Sequence, residues 1–247
     1  MLSLLAQTKE DFFMSIVTPD GGLTSLGYAL CIAAVIVLFL AATWIYSKAS
    51  AAQAGSNKST SGQNKAGQKL STKQLTFCAT ALALAFVTSY IKIAELAFGG
   101  SVTLFSMLFV CMIGYWYGPS VGILTGLAYG ILQFLQGPYV LSFFQVCCDY
   151  ILAFAGLGLA GFFSKSKNGL LKGYLLGIMV RGAFHTLGGY LYWMDYIPEN
   201  FPQSLAAIYP IVYNYSYILA EGVLTVIVLL LPPVKKAFVQ IKKIAIE

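Results

Sequence analysis

The chain has 247 residues with a mean hydropathy of +0.77, and only 10% of them are charged, which excludes an ordinary soluble domain. A net charge of +6 could suit nucleic acid, but the lysines fall in alternate segments between apolar stretches, so their position accounts for the charge.

The apolar stretches are seven: 25–46, 75–97, 102–117, 119–136, 140–163, 169–193 and 208–231. A bilayer core of ~30 Å needs about 20 helical residues, so this pattern predicts an all-α polytopic membrane protein. The third and fourth stretches are short, with Gly118-Pro119 making a sharp turn between them. The first follows an acidic segment (Glu10, Asp11, Asp20) and starts late for a cleaved leader, so it is read as a retained helix. Residues 49–70 are rich in Ser, Gly, Ala, Gln and Lys and cannot bury a core. The expected organisation is an N-terminal appendage with one transmembrane helix (1–47), a flexible cytoplasmic linker (48–72) and a six-helix unit (73–247).

Lys48, Lys58, Lys65, Lys69 and Lys73, then Lys165, Lys167 and Lys172, then Lys235, Lys236, Lys242 and Lys243 occupy one set of segments. Glu95, Asp195 and Glu199 occupy the other, with the acidic N-terminus. The positive-inside rule then puts the N-terminus outside and the C-terminus in the cytoplasm. The five cysteines (Cys31, Cys78, Cys111, Cys147, Cys148) include no CxxC and there is a single histidine, so they read as small packing residues rather than a metal or disulfide framework. No cofactor is expected.

Small residues are patterned. Gly118, Gly122, Gly126 and Gly130 form one ladder, and Gly169, Gly173 and Gly177 another; both suit close internal helix packing. Ala79, Ala81, Ala83 and Ala85 line the start of the second stretch, small residues that suit internal packing or the close approach of another helix.

Polar groups at membrane depth need partners, and they are few: Gln133, Gln145, Asp149, Arg181, His185, Asn214 and Glu221. At about 1.5 Å per residue, Asp149, His185 and Asn214 lie roughly 14, 12 and 9 Å below the outer edge on three different helices. Tyr139, Trp193 and Tyr209 stand above them. An acid, an imidazole and an amide under aromatic rings suit a flat, hydrogen-bonding, cationic ligand. The competing account of these residues is a structural polar cluster with interfacial aromatics. Arg181 and Glu221 fall near mid-depth on successive helices and are expected to form a structural ion pair. A lone His with a lone Asp leaves an intramembrane enzyme open, but no nucleophilic triad completes it. There is no GxxxxGK[ST], so any ATP-driven process would draw its nucleotide chemistry from another subunit.

From about 73 to 247 the chain resembles the thiamine-specific substrate-binding (S) component of energy-coupling factor (ECF) vitamin transporters. The resemblance rests on LTFCATALALAFV (75–87), FGGSVTLFSM (98–107), GLAYGILQFLQGPY (126–139), QVCCDYILAFAGLGLAG (145–161), RGAFHTLGGYLYW (181–193) and YPIVYNYSYI (209–218). It implies a six-helix S-component bundle that captures thiamine from outside. It implies partnership, within the lipid bilayer, with a transmembrane coupling subunit, docked on the face of Ala79, Ala81, Ala83 and Ala85, and with two cytoplasmic ATPases. By motif, the implied ligand residues are Tyr139, Asp149, Tyr150, His185, Trp193, Tyr209 and Asn214. The family often has Glu where this chain has Asp149, and Phe98 is the aromatic nearest the family's Trp in the first external loop. An S component for a related heterocycle, such as a hydroxymethylpyrimidine, is the alternative.

Overall fold

A computed structural model describes residues 15–18, 22–30, 33 and 70–247. The chain divides into two units, Met1–Ser71 and Thr72–Glu247.

In the first unit, Val17 and Leu23 form an isolated antiparallel bridge. Thr24 closes that turn by donating from its hydroxyl to the Ser15 carbonyl (2.7 Å), and the same hydroxyl accepts from the Gly27 N–H (3.0 Å). It therefore caps the helical turn that follows at 25–30. The rest of the first expected span, the linker up to residue 69 and Cys31 lie outside the described residues.

The second unit contains seven helices and one hairpin among the described residues: α1 Thr72–Ser89, β1 Lys92–Glu95, β2 Ser101–Thr103, α2 Ser106–Tyr117, α3 Pro119–Gln136, α4 Phe143–Phe163, α5 Gly169–Tyr192, α6 Tyr209–Leu230 and α7 Pro232–Ile246. Phe143–Phe163 and Gln203–Leu230 are each apolar and long enough to cross a bilayer. Val87, Leu124, Phe162, Val223 and Ile227 point their apolar side chains outward, as a lipid-facing surface requires.

Two of the expected boundaries are corrected. The stretch 75–97 is not one span. Helix α1 stops at Ser89, and β1 pairs antiparallel with β2 in the register Lys92↔Thr103, Ala94↔Val102, Glu95↔Ser101. Lys92 and Glu95, bridged at 2.6 Å, would be costly inside lipid, and β-branched Ile91 and Ile93 favour extended backbone. The tip turns through Phe98 (φ 61) and Gly99 (φ 86), the left-handed region that glycine adopts freely. Consequently α2 begins only at Ser106, and its 12 residues reach about 18 Å, short of a full crossing. The second correction concerns 232–246, which lies beyond the last expected span. It is a helix, started by Pro232-Pro233, with Val234, Phe238 and Ala245 turned inward.

Helix α4 is clasped on both sides by glycines. A Cβ at Gly126 or Gly130 on α3 would collide with the Phe154 or Tyr150 carbonyl, and one at Gly173 on α5 with Ala160. The ladders are internal packing, except Gly118, whose φ of 93° makes the α2–α3 turn. Cys78, Cys111 and Cys148 are buried free thiols and Cys147 is a half-buried one.

The four alanines of α1 do not share a face. Residues two apart on a helix lie on nearly opposite sides, so Ala81 and Ala85 are buried in the core while Ala79 and Ala83 are exposed. Ala85 also offers its carbonyl to the buried Tyr129 hydroxyl (3.3 Å).

Candidate functional site

At the end of the bundle where α1, α3 and α5 finish and α4 and α6 begin, the helices and the hairpin tip enclose a cavity of about 590 Å³. All eight residues singled out for a ligand border it: Phe98, Tyr139, Asp149, Tyr150, His185, Trp193, Tyr209 and Asn214.

The floor is organised by Asp149. It sits in a π-helical turn, Cys147–Leu152, which interrupts α4; such turns locally rotate side chains out of the regular α register. Three groups converge on its carboxylate. Gln145 Nε2 donates to Oδ2 at 2.7 Å, Trp193 Nε1 donates to Oδ2 at 3.4 Å, and His185 Nδ1 lies 3.3 Å from Oδ1. Gln145 is itself fixed, because its Oε1 accepts from the Leu141 N–H at 3.1 Å. Arg181 donates through Nε to His185 Nε2 at 3.3 Å. That nitrogen must then be an acceptor, so the His185 proton resides on Nδ1 and is donated to Asp149. A hydrogen-bond chain thus runs from Arg181 through a neutral imidazole to Asp149, and the side chains of His185 and Asp149 are only 12% and 14% exposed.

The walls are aromatic. Trp193 lies 4.9 Å from Tyr139 at 35°, so the two rings pack on each other as one tilted aromatic wall, and 5.3 Å from Tyr196. Tyr209 stacks on Tyr213 (5.9 Å, 22°). Phe98, at the hairpin tip, reaches across to Trp193, Tyr196 and Tyr213 at 6.1, 6.2 and 6.5 Å. It thereby sets a ring from the hairpin tip over this side of the cavity.

Two of the singled-out residues hold the site's frame as well as bordering it. Asn214 directs its amide N–H groups to the His185 carbonyl (3.2 Å) and the Pro210 carbonyl (2.9 Å), and its Oδ1 accepts from Tyr217 (3.1 Å). It joins α5 to α6. Tyr150 donates to the Gly137 carbonyl (2.9 Å) and accepts from the Tyr139 N–H (3.1 Å), which pins the loop carrying Tyr139.

The expected Arg181–Glu221 pair is absent: among the described residues Lys92–Glu95 is the ion pair, and the neutral His185 meets Asp149 through a hydrogen bond. Arg181 turns to the cavity, against His185 and over the Phe154 ring (4.5 Å). Glu221 is buried elsewhere, against the base of the hairpin. Equal depth did not make them a pair, because each bonds to nearer groups, Arg181 to His185 on its own helix and Glu221 to the hairpin root.

Sequence reasoning passed over Gln145 and Arg181 as cavity residues, although each stands four residues before a chosen one, on the same helical face. Tyr213 and Tyr217 continue the four-residue spacing of Tyr209 and were readable in the same way. Tyr196, on a short 3-10 turn, carries no such signal.

Residues 75–241 match the family described as thiamine transporter protein. This chain belongs to that family. It is 30% identical over 152 residues to the thiamine transporter ThiT of Bacillus subtilis, a match covering 54% of this chain and 74% of that protein. Among solved structures, ThiT from Listeria monocytogenes superposes with a TM-score of 0.52 at 26% identity, covering 67% of this chain and 96% of the other. The S component of a bacterial ECF transporter superposes at 0.40 and 20% identity, covering 62% and 93%. The family match begins at 75, so it takes in the hairpin, the cavity and every element from α2 to α6.

Proposed function

We propose that the protein captures thiamine in this cavity and serves in its uptake as the membrane-embedded S component of an ECF-type transporter. The observation that carries the reading is a half-buried carboxylate, Asp149, held by three donors beneath paired aromatic rings in a member of a thiamine transporter family. Thiamine's thiazolium bears a fixed positive charge that Asp149 offsets in a low-dielectric site. Its rings stack on the aromatic wall that Trp193 and Tyr139 present, where cation–π attraction adds to stacking. The ligand set is Tyr139, Asp149, Tyr150, His185, Trp193, Tyr209 and Asn214, with Phe98 as cover. Arg181 and Gln145 orient the acid. The role is transport and not catalysis.

The protein is a multi-pass protein of the cell membrane. Its cavity end faces outward in this reading, supported by the lysines of the 164–172 loop and of α7, which gather at the opposite end. The C-terminus is then cytoplasmic and the N-terminus external. Residues 1–47 form an appendage, 48–72 a linker, and 73–247 the binding unit. A coupling subunit docks on α1 at the exposed Ala79 and Ala83, where small side chains allow close helix approach, and two cytoplasmic ATPases drive the cycle.

Tryptophan fluorescence of the detergent-purified protein, titrated with thiamine, its diphosphate and the pyrimidine moiety alone, tests the reading. Thiamine should bind without metal or ATP. Equal affinity for the pyrimidine alone would defeat the charge argument.

A further inference from the structure

Glu221 is 2% exposed, lies outside the cavity lining, and has no cation beside it within ion-pair distance among the described residues. Its carboxylate is nevertheless well served. Oε2 accepts from the Thr103 N–H (2.9 Å) and the Thr103 hydroxyl (2.6 Å). Oε1 accepts from the Ser106 hydroxyl (3.4 Å) and the Met107 N–H (3.3 Å). Met107 and Ser106 open helix α2, whose own N-cap residue, Phe105, is left-handed (φ 62) and supplies no side-chain cap. Glu221 therefore caps α2 from another helix, with its negative charge at the positive end of the α2 dipole.

The same carboxylate grips Thr103, the last residue of β2, and β2 carries the tip that covers the cavity. A second fastening lies about two turns along α6, where Tyr213 accepts from the Gly100 N–H (3.1 Å) and donates to the Ala97 carbonyl. The hairpin is thus tied to α6 at its tip by one hydroxyl and at its root by a buried charge. The tip tie involves a cavity residue; the root tie does not.

We infer that Glu221 is a positioning residue for ligand retention: it holds the root of the β1–β2 hairpin so that Phe98 stays over the cavity. This rests on the thiamine reading for its ligand but not for its geometry. With the root loosened, the cover would sample open positions, and bound ligand would leave faster while its access stayed open.

The experiment compares the wild-type protein with Glu221→Gln and Tyr174→Phe. Tyr174 is buried and donates to Thr225 (3.0 Å), one turn along α6 from Glu221, without contacting the hairpin, so its loss costs stability alone. Stopped-flow fluorescence with thiamine is paired with amide hydrogen exchange of the ligand-free proteins. Glu221→Gln should raise the thiamine dissociation rate about tenfold, with association nearly unchanged, and should speed exchange across 96–103. Tyr174→Phe should lower the melting temperature without either effect. The inference is overturned if Glu221→Gln leaves both the dissociation rate and hairpin exchange at wild-type values, or if Tyr174→Phe reproduces them. If the wild-type protein does not bind thiamine, the functional reading fails, and exchange at 96–103 alone decides Glu221. Should Glu221→Gln not fold, Thr103→Val removes one donor of the same anchor; it should act in the same direction, and no change would overturn the inference.

Discussion

Gln145 Nε2 stands 2.7 Å from Asp149 Oδ2, and the other end of the same amide is held by the Leu141 N–H at 3.1 Å. The amide cannot flip without losing both bonds. The carboxylate therefore has a fixed azimuth set by the protein's own groups, which is the preorganisation that tight capture of a small cation requires.

Asp149→Asn should weaken thiamine binding by roughly 1–3 kcal/mol. Asparagine keeps the shape but removes the charge, and it offers one oxygen where three donors converge. Isothermal titration at fixed pH and salt checks this. An unchanged dissociation constant would remove Asp149 from the site.

Gly188→Ala tests the same carboxylate without altering it. A Cβ at Gly188 would stand 2.7 Å from Asp149 Oδ1, the carboxylate oxygen that meets His185. The acid can move aside at small cost to the fold but not to its own alignment. Thiamine affinity should fall about tenfold, while the melting temperature shifts by no more than about 2 °C. A large loss of stability with normal affinity would place the clash elsewhere.

How much of this was readable in the sequence depends on the element. Helices α3 to α6 lie close to their apolar stretches because long apolar runs have one solution in lipid. The hairpin was missed because Ile91, Ile93 and Leu96 prolong the hydropathy of α1; Lys92, Glu95 and Gly99-Gly100 were the signals against a span. Helix α7 was missed because its lysines were counted and its inward spacing of Val234, Phe238 and Ala245 was not. At the site, depth along each helix brought Asp149, His185 and Asn214 to one level, and their contacts join them there. Depth carries no azimuth, however. That is why Arg181 and Glu221, equally matched in depth, turned to different partners.

Ala83→Trp should leave thiamine affinity intact and prevent assembly with the coupling subunit, since Ala83 is exposed on α1. Ala81→Trp should instead fail to fold, because Ala81 is 5% exposed and a tryptophan there overpacks the core. Co-purification with coexpressed partners, beside thiamine titration of each isolated variant, separates the two. Normal complex formation by a folded Ala83→Trp protein would move the docking face off this side of α1.

The last prediction concerns the two charges that do not pair. Arg181 is bonded to His185 and packed on Phe154, while Glu221 is bonded to Thr103, Ser106 and Met107. They share no hydrogen-bonding partner, so each should be lost independently. Arg181→Met strands the His185 Nε2 acceptor, and Glu221→Gln sets an amide N–H₂ against donors; each should cost about 1–3 kcal/mol. The double mutant should then lose the sum, to within about 0.5 kcal/mol. A direct ion pair would behave otherwise. Removing one charge would strand the other, and the second substitution would relieve it. Thermal or denaturant unfolding of the four proteins completes the cycle, and recovery of stability in the double mutant would show that the two charges meet after all.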